Sequence, residues 1–248
     1  MAEAIEQVAA LLRAARQGTG PLLAALPEAL RPANLAAAHA IQHIAAAGAD
    51  IGGWKVGLLG ADKQFFCAPM PQSGLHGSPA RLPRGRMRGI EAEVAFRLAR
   101  DLPPRAAPYT RAEVMAALAT AHPAIEVLES AYRDPDAVDP WSNLADSMMH
   151  GGFVHGPGVA AWQGLDFAAM TVTQTIDDAV MQRTGNPAGD MIRLVEWLAN
   201  DGSHWAGGLR AGQIVTCGSW TGKTWAPAGA SVRVAFAGLG DATLAFSA

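Results

Sequence analysis

The 248-residue chain predicts an α+β fold with N-terminal helices, on three observations. Apolar residues recur at helical spacing mainly near the start, and short β-like runs crowd the second half. The regular strand-helix alternation that builds a parallel sheet is missing. Half the residues are apolar, enough for a substantial core. No internal repeat, low-complexity tract or linker stands out, so the expected organisation is a helical extension over residues 1–50 and one larger domain over 51–248.

Ile5, Val8, Leu11, Leu12 and Ala15 define a first amphipathic helix that stops at Gly18-Thr19-Gly20. An Ala-rich helix over 35–47 follows and ends at Gly48; its His39 and His43 share a face, but no carboxylate lies between them and they read as packed or solvated. Residues 51–59 read as a strand with Lys55 in the middle. The chain has three lysines, Lys55, Lys63 and Lys223. Such a lysine either snorkels to the surface or sits in a cleft to bind an anion or move a proton. Residues 68–89 are expected to form a loop, and Thr110 with Glu113 should cap a helix over 110–121. Strands are expected around Glu126 and over 152–156, 170–177, 213–219, 231–237 and 242–247, with a polar loop over 132–141. One later helix, over 190–200, buries Ile192, Val195, Leu198 and Ala199.

Chemistry concentrates in Ile90-Glu91-Ala92-Glu93-Val94-Ala95-Phe96-Arg97-Leu98. Alternation places Ile90, Ala92, Val94 and Phe96 on one strand face and Glu91 with Glu93 on the other. If that second face is buried, two like charges need a counter-charge, and a hard divalent cation held by oxygen ligands is the usual one. Glu126, in another apolar strand-like run, is the candidate third carboxylate. The alternative is a solvated sheet face.

The formal charge of -3 and the scattered basic residues argue against nucleic acid as a partner. No apolar run is long enough to cross a bilayer, and the start of the chain does not read as a secretory signal. Cys67 and Cys217 lie far apart and read as buried thiols in a reducing cytoplasm, the expected location. Glycine-rich phosphate or dinucleotide motifs and a Gly-x-Ser-x-Gly elbow are missing.

Taken in order, Gly53-Trp54-Lys55-Val56-Gly57-Leu58, Ile90 to Phe96, Pro123-Ala124-Ile125-Glu126-Val127, Ala145-Asp146-Ser147 with Gly151-Gly152-Phe153-Val154, and Gly212 to Ser219 resemble the 2-keto-4-pentenoate hydratases. These belong to the fumarylacetoacetate hydrolase superfamily. The resemblance implies a mixed β-sandwich roll whose domain over 51–248 is catalytic, with Mg²⁺ or Mn²⁺ bound by Glu91, Glu93 and Glu126. It implies proton transfer or charge stabilisation by Lys55, a catalytic place for Asp146, and substrate contacts from Ser219, Thr221 and Leu58. The implied reaction adds water to a 2-hydroxy-2,4-dienoate, giving a 4-hydroxy-2-oxo acid with no organic cofactor, as in meta-cleavage catabolism of aromatics. Relatives are often homo-oligomers, and the same is expected here.

Several positions depart from the family pattern: Trp54 for tyrosine, Leu58-Leu59-Gly60 for Leu-Thr-Ser, Asp146-Ser147-Met148-Met149 for Asp-Asn-Ala-Ser, and Cys217 for threonine. The first two are expected to make the pocket more apolar and to admit a larger or differently substituted dienoate. The carbon-carbon hydrolases of the superfamily usually carry a lysine after the third ligand, and this chain has none between Lys63 and Lys223. The decarboxylase of 2-oxo-3-hexenedioate (4-oxalocrotonate) keeps the early lysine and stands as the alternative reaction. A catalytically silent relative is a further alternative, against which the retained carboxylates and Lys55 speak.

Overall fold

A computed structural model describes residues 2–248. Two helices open the chain, α1 (Ala2–Arg16) and α2 (Leu35–Ala46), as their apolar spacing predicts. Asn34 caps α2 by accepting a hydrogen bond from Ala37 N at 2.9 Å. Then come β1 (Ile51–Leu59), β2 (Gln64–Pro71), β3 (Leu75–Gly77), β4 (Ala80–Leu82) and β5 (Gly89–Leu98). They are followed by α3 (Arg111–Ala117), β6 (Leu118–Leu128), α4 (Pro140–Ala145) and β7 (His150–His155). The remainder is β8 (Thr171–Ile176), β9 (Ala179–Thr184), α5 (Met191–Trp197), β10 (Ile214–Ser219), β11 (Thr224–Trp225), β12 (Ser231–Phe236) and β13 (Gly240–Phe246). The α+β expectation holds.

One sheet runs β2-β1-β10-β5-β6-β7-β3, with β11 paired to β5, and the other runs β4-β13-β12-β8-β9. Pairing is mixed: β1 with β10, β3 with β7 and β4 with β13 are parallel, and the other pairs are antiparallel. The main core lies between the sheets, where Val56, Ile90, Val94 and Phe96 meet Val232, Val234 and Leu244. On the opposite face of the larger sheet, Met70, Leu75, Ala95, Ala124, Phe153 and Ile214 form a second buried cluster. Both faces of β5 are therefore covered. A third cluster joins Val8 and Leu12 of α1, Ile41 of α2 and Leu144 of α4 to Phe66 of β2.

Four local expectations need correction. The helix over 110–121 has its capping box at Thr110 and Glu113 but ends at Ala117. From Leu118 the chain pairs with β5, and Pro123 makes a helical continuation costly. The loop over 68–89 contains the end of β2, which pairs back onto β1, and all of β3 and β4, short pieces whose partners β7 and β13 are remote in sequence. The helix over 190–200 is regular only to Trp197, after which Leu198–Gly202 widens into a π turn. In the polar loop over 132–141, Pro140 already opens α4 beneath an Asp139 cap.

Candidate active site

Strand register assembles the site. In the antiparallel pair of β5 and β6, Glu91 lies opposite Glu126 and Glu93 opposite Ala124. On the other side of β5, Ser219 of β10 lies opposite Glu93, and Thr216 lies opposite Ala95. Lys55 of β1 is in turn opposite Thr216. Period-two alternation, with a register shift between Thr216 and Ser219 that takes up the odd residue in β10, sends these side chains to one face of four neighbouring strands.

Oxygen atoms of Glu91, Glu93 and Glu126 lie within 4.8 Å of one another. Lys55 Nζ is 2.8 Å from Glu126 Oε2 and 3.9 Å from Glu91 Oε2, and it donates to Met148 O at 3.1 Å. His150 Nδ1 lies 3.0 Å from Glu126 Oε1. Thr216 Oγ1 donates to Glu93 Oε2, while the buried Glu93 Oε1 has no hydrogen-bond partner among the described residues. One ammonium thus faces three carboxylates.

The electrostatics follow from that imbalance. Burial pushes the Glu93 carboxyl well above its ordinary value, and Glu126 and Glu91 push it further, against Lys55 and Thr216. Burial also raises Glu91, opposed mainly by Lys55. For Glu126 burial acts in the same direction, but Lys55 and His150 outweigh it and hold the carboxyl below its ordinary value. Burial disfavours the Lys55 ammonium, yet Glu126, Glu91 and Glu93 together keep it charged beyond its ordinary range. All-oxygen donors, excess negative charge and an unpartnered buried carboxylate oxygen fit a hard divalent cation.

The cluster opens into a cleft of about 440 Å³ lined by Lys55, Glu91, Glu93 and Ser219. Leu58, Leu59, Phe66, Met148, Pro187 and Ala188 give it apolar walls. Asn186 staples one wall to the end of β10, donating to Cys217 O at 3.1 Å and Gly218 O at 3.3 Å while accepting from Ala188 N at 2.7 Å. Lys63, exposed on the β1–β2 turn, also lines the cleft.

Not every expected residue reaches it. The Asp146 carboxylate is 1% exposed and turned to Arg16, Ser130 and Ala131 N, outside the cleft lining. Thr221 Oγ1 accepts from Ala92 N at 3.0 Å and lies 3.2 Å from Gln174 Oε1, bracing β5 without lining the cleft. Trp54 and Cys217 point the other way, into the core; of the departures, Leu59, Gly60 and Met148 line the cleft and make it more apolar. Phe66, Asn186, Pro187, Ala188 and His150 carried no signal in the sequence. Met148 lay in a noted motif, but the use of its carbonyl depends on backbone conformation.

A mixed β-roll with a buried carboxylate cluster beside a lysine, opening into a cleft of small-molecule size, is the arrangement of a small-molecule enzyme with an oxygen donor set suited to a divalent cation. The chain belongs to the fumarylacetoacetate hydrolase family: residues 53–246 match the fumarylacetoacetate (FAA) hydrolase C-terminal domain. It is 32% identical over 263 residues to a 2-keto-4-pentenoate hydratase of Paraburkholderia phymatum, covering 98% of this chain and 97% of that protein. A 2-keto-4-pentenoate hydratase of Burkholderia vietnamiensis is 30% identical over 259 residues, with 98% and 97% covered. Among solved structures, 4-oxalocrotonate decarboxylase from Pseudomonas putida G7, complexed with magnesium and adipate, superposes with a TM-score of 0.84 over 99% of this chain and 98% of that one. At 20% identity that likeness is one of fold.

Proposed function

We propose that this chain is a divalent-metal-dependent hydratase, a hydro-lyase that converts a 2-hydroxy-2,4-dienoate into a 4-hydroxy-2-oxo acid. The observation that carries the reading is the buried Lys55 ammonium set against Glu126 and Glu91 beside a largely apolar cleft. Relatives named as hydratases over nearly the whole chain support it.

Glu91, Glu93 and Glu126 would hold Mg²⁺ or Mn²⁺. When bound, the cation would supply the positive charge that polarises the 2-oxo group. Ketonisation moves a proton from the C2 hydroxyl to C5, and hydration then places hydroxyl on C4 and a proton on C3. Lys55 is the protonated group beside the cluster and handles these transfers. Ser219, in the cleft beside Glu91, offers a hydroxyl to the substrate carboxylate. Leu58, Phe66 and Met148 cover the tail and keep bulk water from it. Asp146 and Thr221 serve by holding backbone in place.

One observation favours a second reading. Lys63 at the cleft gives a distal carboxylate a partner, as a decarboxylase acting on 2-oxo-3-hexenedioate would need. Turnover in isotope-labelled water separates the two. The hydratase reading expects label at C4 and no gas from an uncharged-tail dienoate; carbon dioxide from the dicarboxylate with no hydrated product would overturn it.

A further inference from the structure

The turn between α4 and β7 is the most strained backbone near the site, and it carries two of the site's contacts. Ser147, Met148 and Met149 have φ of 54°, 48° and 64°, three consecutive non-glycine residues in left-handed conformation. Met148 O accepts the Lys55 ammonium at 3.1 Å, and two residues on, the His150 ring meets Glu126 at 3.0 Å. A turn this disfavoured persists only where its surroundings over-determine it.

Those surroundings come from the far end of the sequence. Arg16, the last residue of α1, donates from Nε to Asp146 Oδ1 at 2.5 Å and from Nη1 to His150 O at 2.6 Å. Its Nη2 donates to Asp146 O at 2.7 Å and Glu129 O at 3.1 Å. Asp146 Oδ2 in turn accepts from Ser130 Oγ at 2.6 Å and Ala131 N at 2.8 Å, tying the start of the turn to the chain leaving β6. One planar guanidinium therefore grips both ends of the strained segment and the strand beside it. Arg16 itself does not line the cleft and makes no contact with the three glutamates.

We propose that Arg16 is a positioning residue, by which the N-terminal helix fixes the Asp146 to His150 turn and, through the Met148 carbonyl, the place of the Lys55 ammonium. The proposal rests on the proton-handling role given to Lys55 above. A lysine cannot replace Arg16, because a single nitrogen cannot reach the four acceptors that three guanidinium nitrogens share. The N-terminal helix is then part of the machinery at one remove.

The test uses full-length protein with ¹³C-labelled lysine, whose three Cε signals are assigned by substituting each lysine in turn. In Arg16→Ala the Lys55 signal should move while Lys63 and Lys223 stay, and the amide of Met149 should exchange about 10-fold faster or more. With a dienoate substrate and saturating Mg²⁺, kcat should fall about 10-fold or more, and KM should change less. Free guanidinium should restore part of the signal and of kcat, and Arg16→Lys should recover less. Val8→Ala, which loosens the buried side of the same helix, should leave both the Lys55 signal and kcat in place. An unmoved Lys55 signal in Arg16→Ala overturns the proposal. So does an unchanged kcat where Lys55→Met is impaired, or a Val8→Ala variant that reproduces both effects. If the wild-type protein turns over no dienoate, the reaction reading fails separately, and the lysine signal and amide exchange still decide the role of Arg16.

Discussion

Replacing Glu93 with glutamine should make the metal-free protein more stable and the metal-loaded protein less so. Glu93 is fully buried, its Oε1 is unpartnered, and Glu126 and Glu91 raise the cost of its charge. Glutamine keeps the shape, can still accept from Thr216, and presents an amide donor to the neighbouring carboxylates. An uncompensated buried charge costs about 3 kcal/mol or more, and Lys55 offsets part, so relief of about 1–2 kcal/mol is expected in chelator at pH 8. That corresponds to a Tm rise of about 2–4 °C per kcal/mol for a chain of this size. The gain should shrink as pH falls toward about 4.3, where an ordinary glutamate is half protonated and the unfolded chain no longer favours the ionised form. Metal reverses the order. Loss of one of three anionic ligands should weaken Mg²⁺ binding about 100-fold, or about 2.7 kcal/mol. At Mg²⁺ equal to about 100 times the wild-type Kd, the wild type gains about 2.7 kcal/mol and the variant about 0.4 kcal/mol, so the melting curves change places by about 1 kcal/mol. Thermal melts with chelator and with Mg²⁺, beside calorimetric titration, read both signs. A variant that melts below wild type in chelator, or that binds Mg²⁺ like wild type, would refute the placement of Glu93 as a buried ligand.

Lys55→Met keeps the apolar stem and deletes the ammonium; kcat should drop by about 100-fold or more while Mg²⁺ binding persists, because the three carboxylates then face no competing cation. A near-normal kcat assigns Lys55 a structural role instead. Metal binding should also depend on pH with a definite sign. Glu91 and Glu93 have raised values in the folded metal-free protein, so their stabilising contribution is complete below the unfolded value of about 4.3 and is lost as pH rises through the folded values. Since the cation needs ionised ligands, its affinity should climb over that same window and binding should release protons, measurable by calorimetry in two buffers of different ionisation heat. A pH-independent affinity between pH 5 and 8 would count against the raised values.

Some of this was readable along the chain. Alternation put Glu91 and Glu93 on one face of β5, and apolar spacing placed α1 and α2, because both patterns depend only on backbone period. Motif order carried the family, and with it the three carboxylates and Lys55 as a set. Local pattern could not show whether the Glu93 face is solvated. The second buried cluster, with Met70, Phe153 and Ile214 drawn from three other strands, decides that it is covered. Nor could a local reading stop α3 at Ala117, since the pairing of β6 with β5 overrides a helical pattern that continues past it. Asp146 sat in a motif shared with catalytic residues, yet its carboxylate turns away to Arg16, 130 positions earlier. The sequence alone determined which groups are available and which face each shares with its near neighbours. Register, burial and the reach of one arginine across the chain are set by contacts between residues far apart in sequence, and only the tertiary structure holds those.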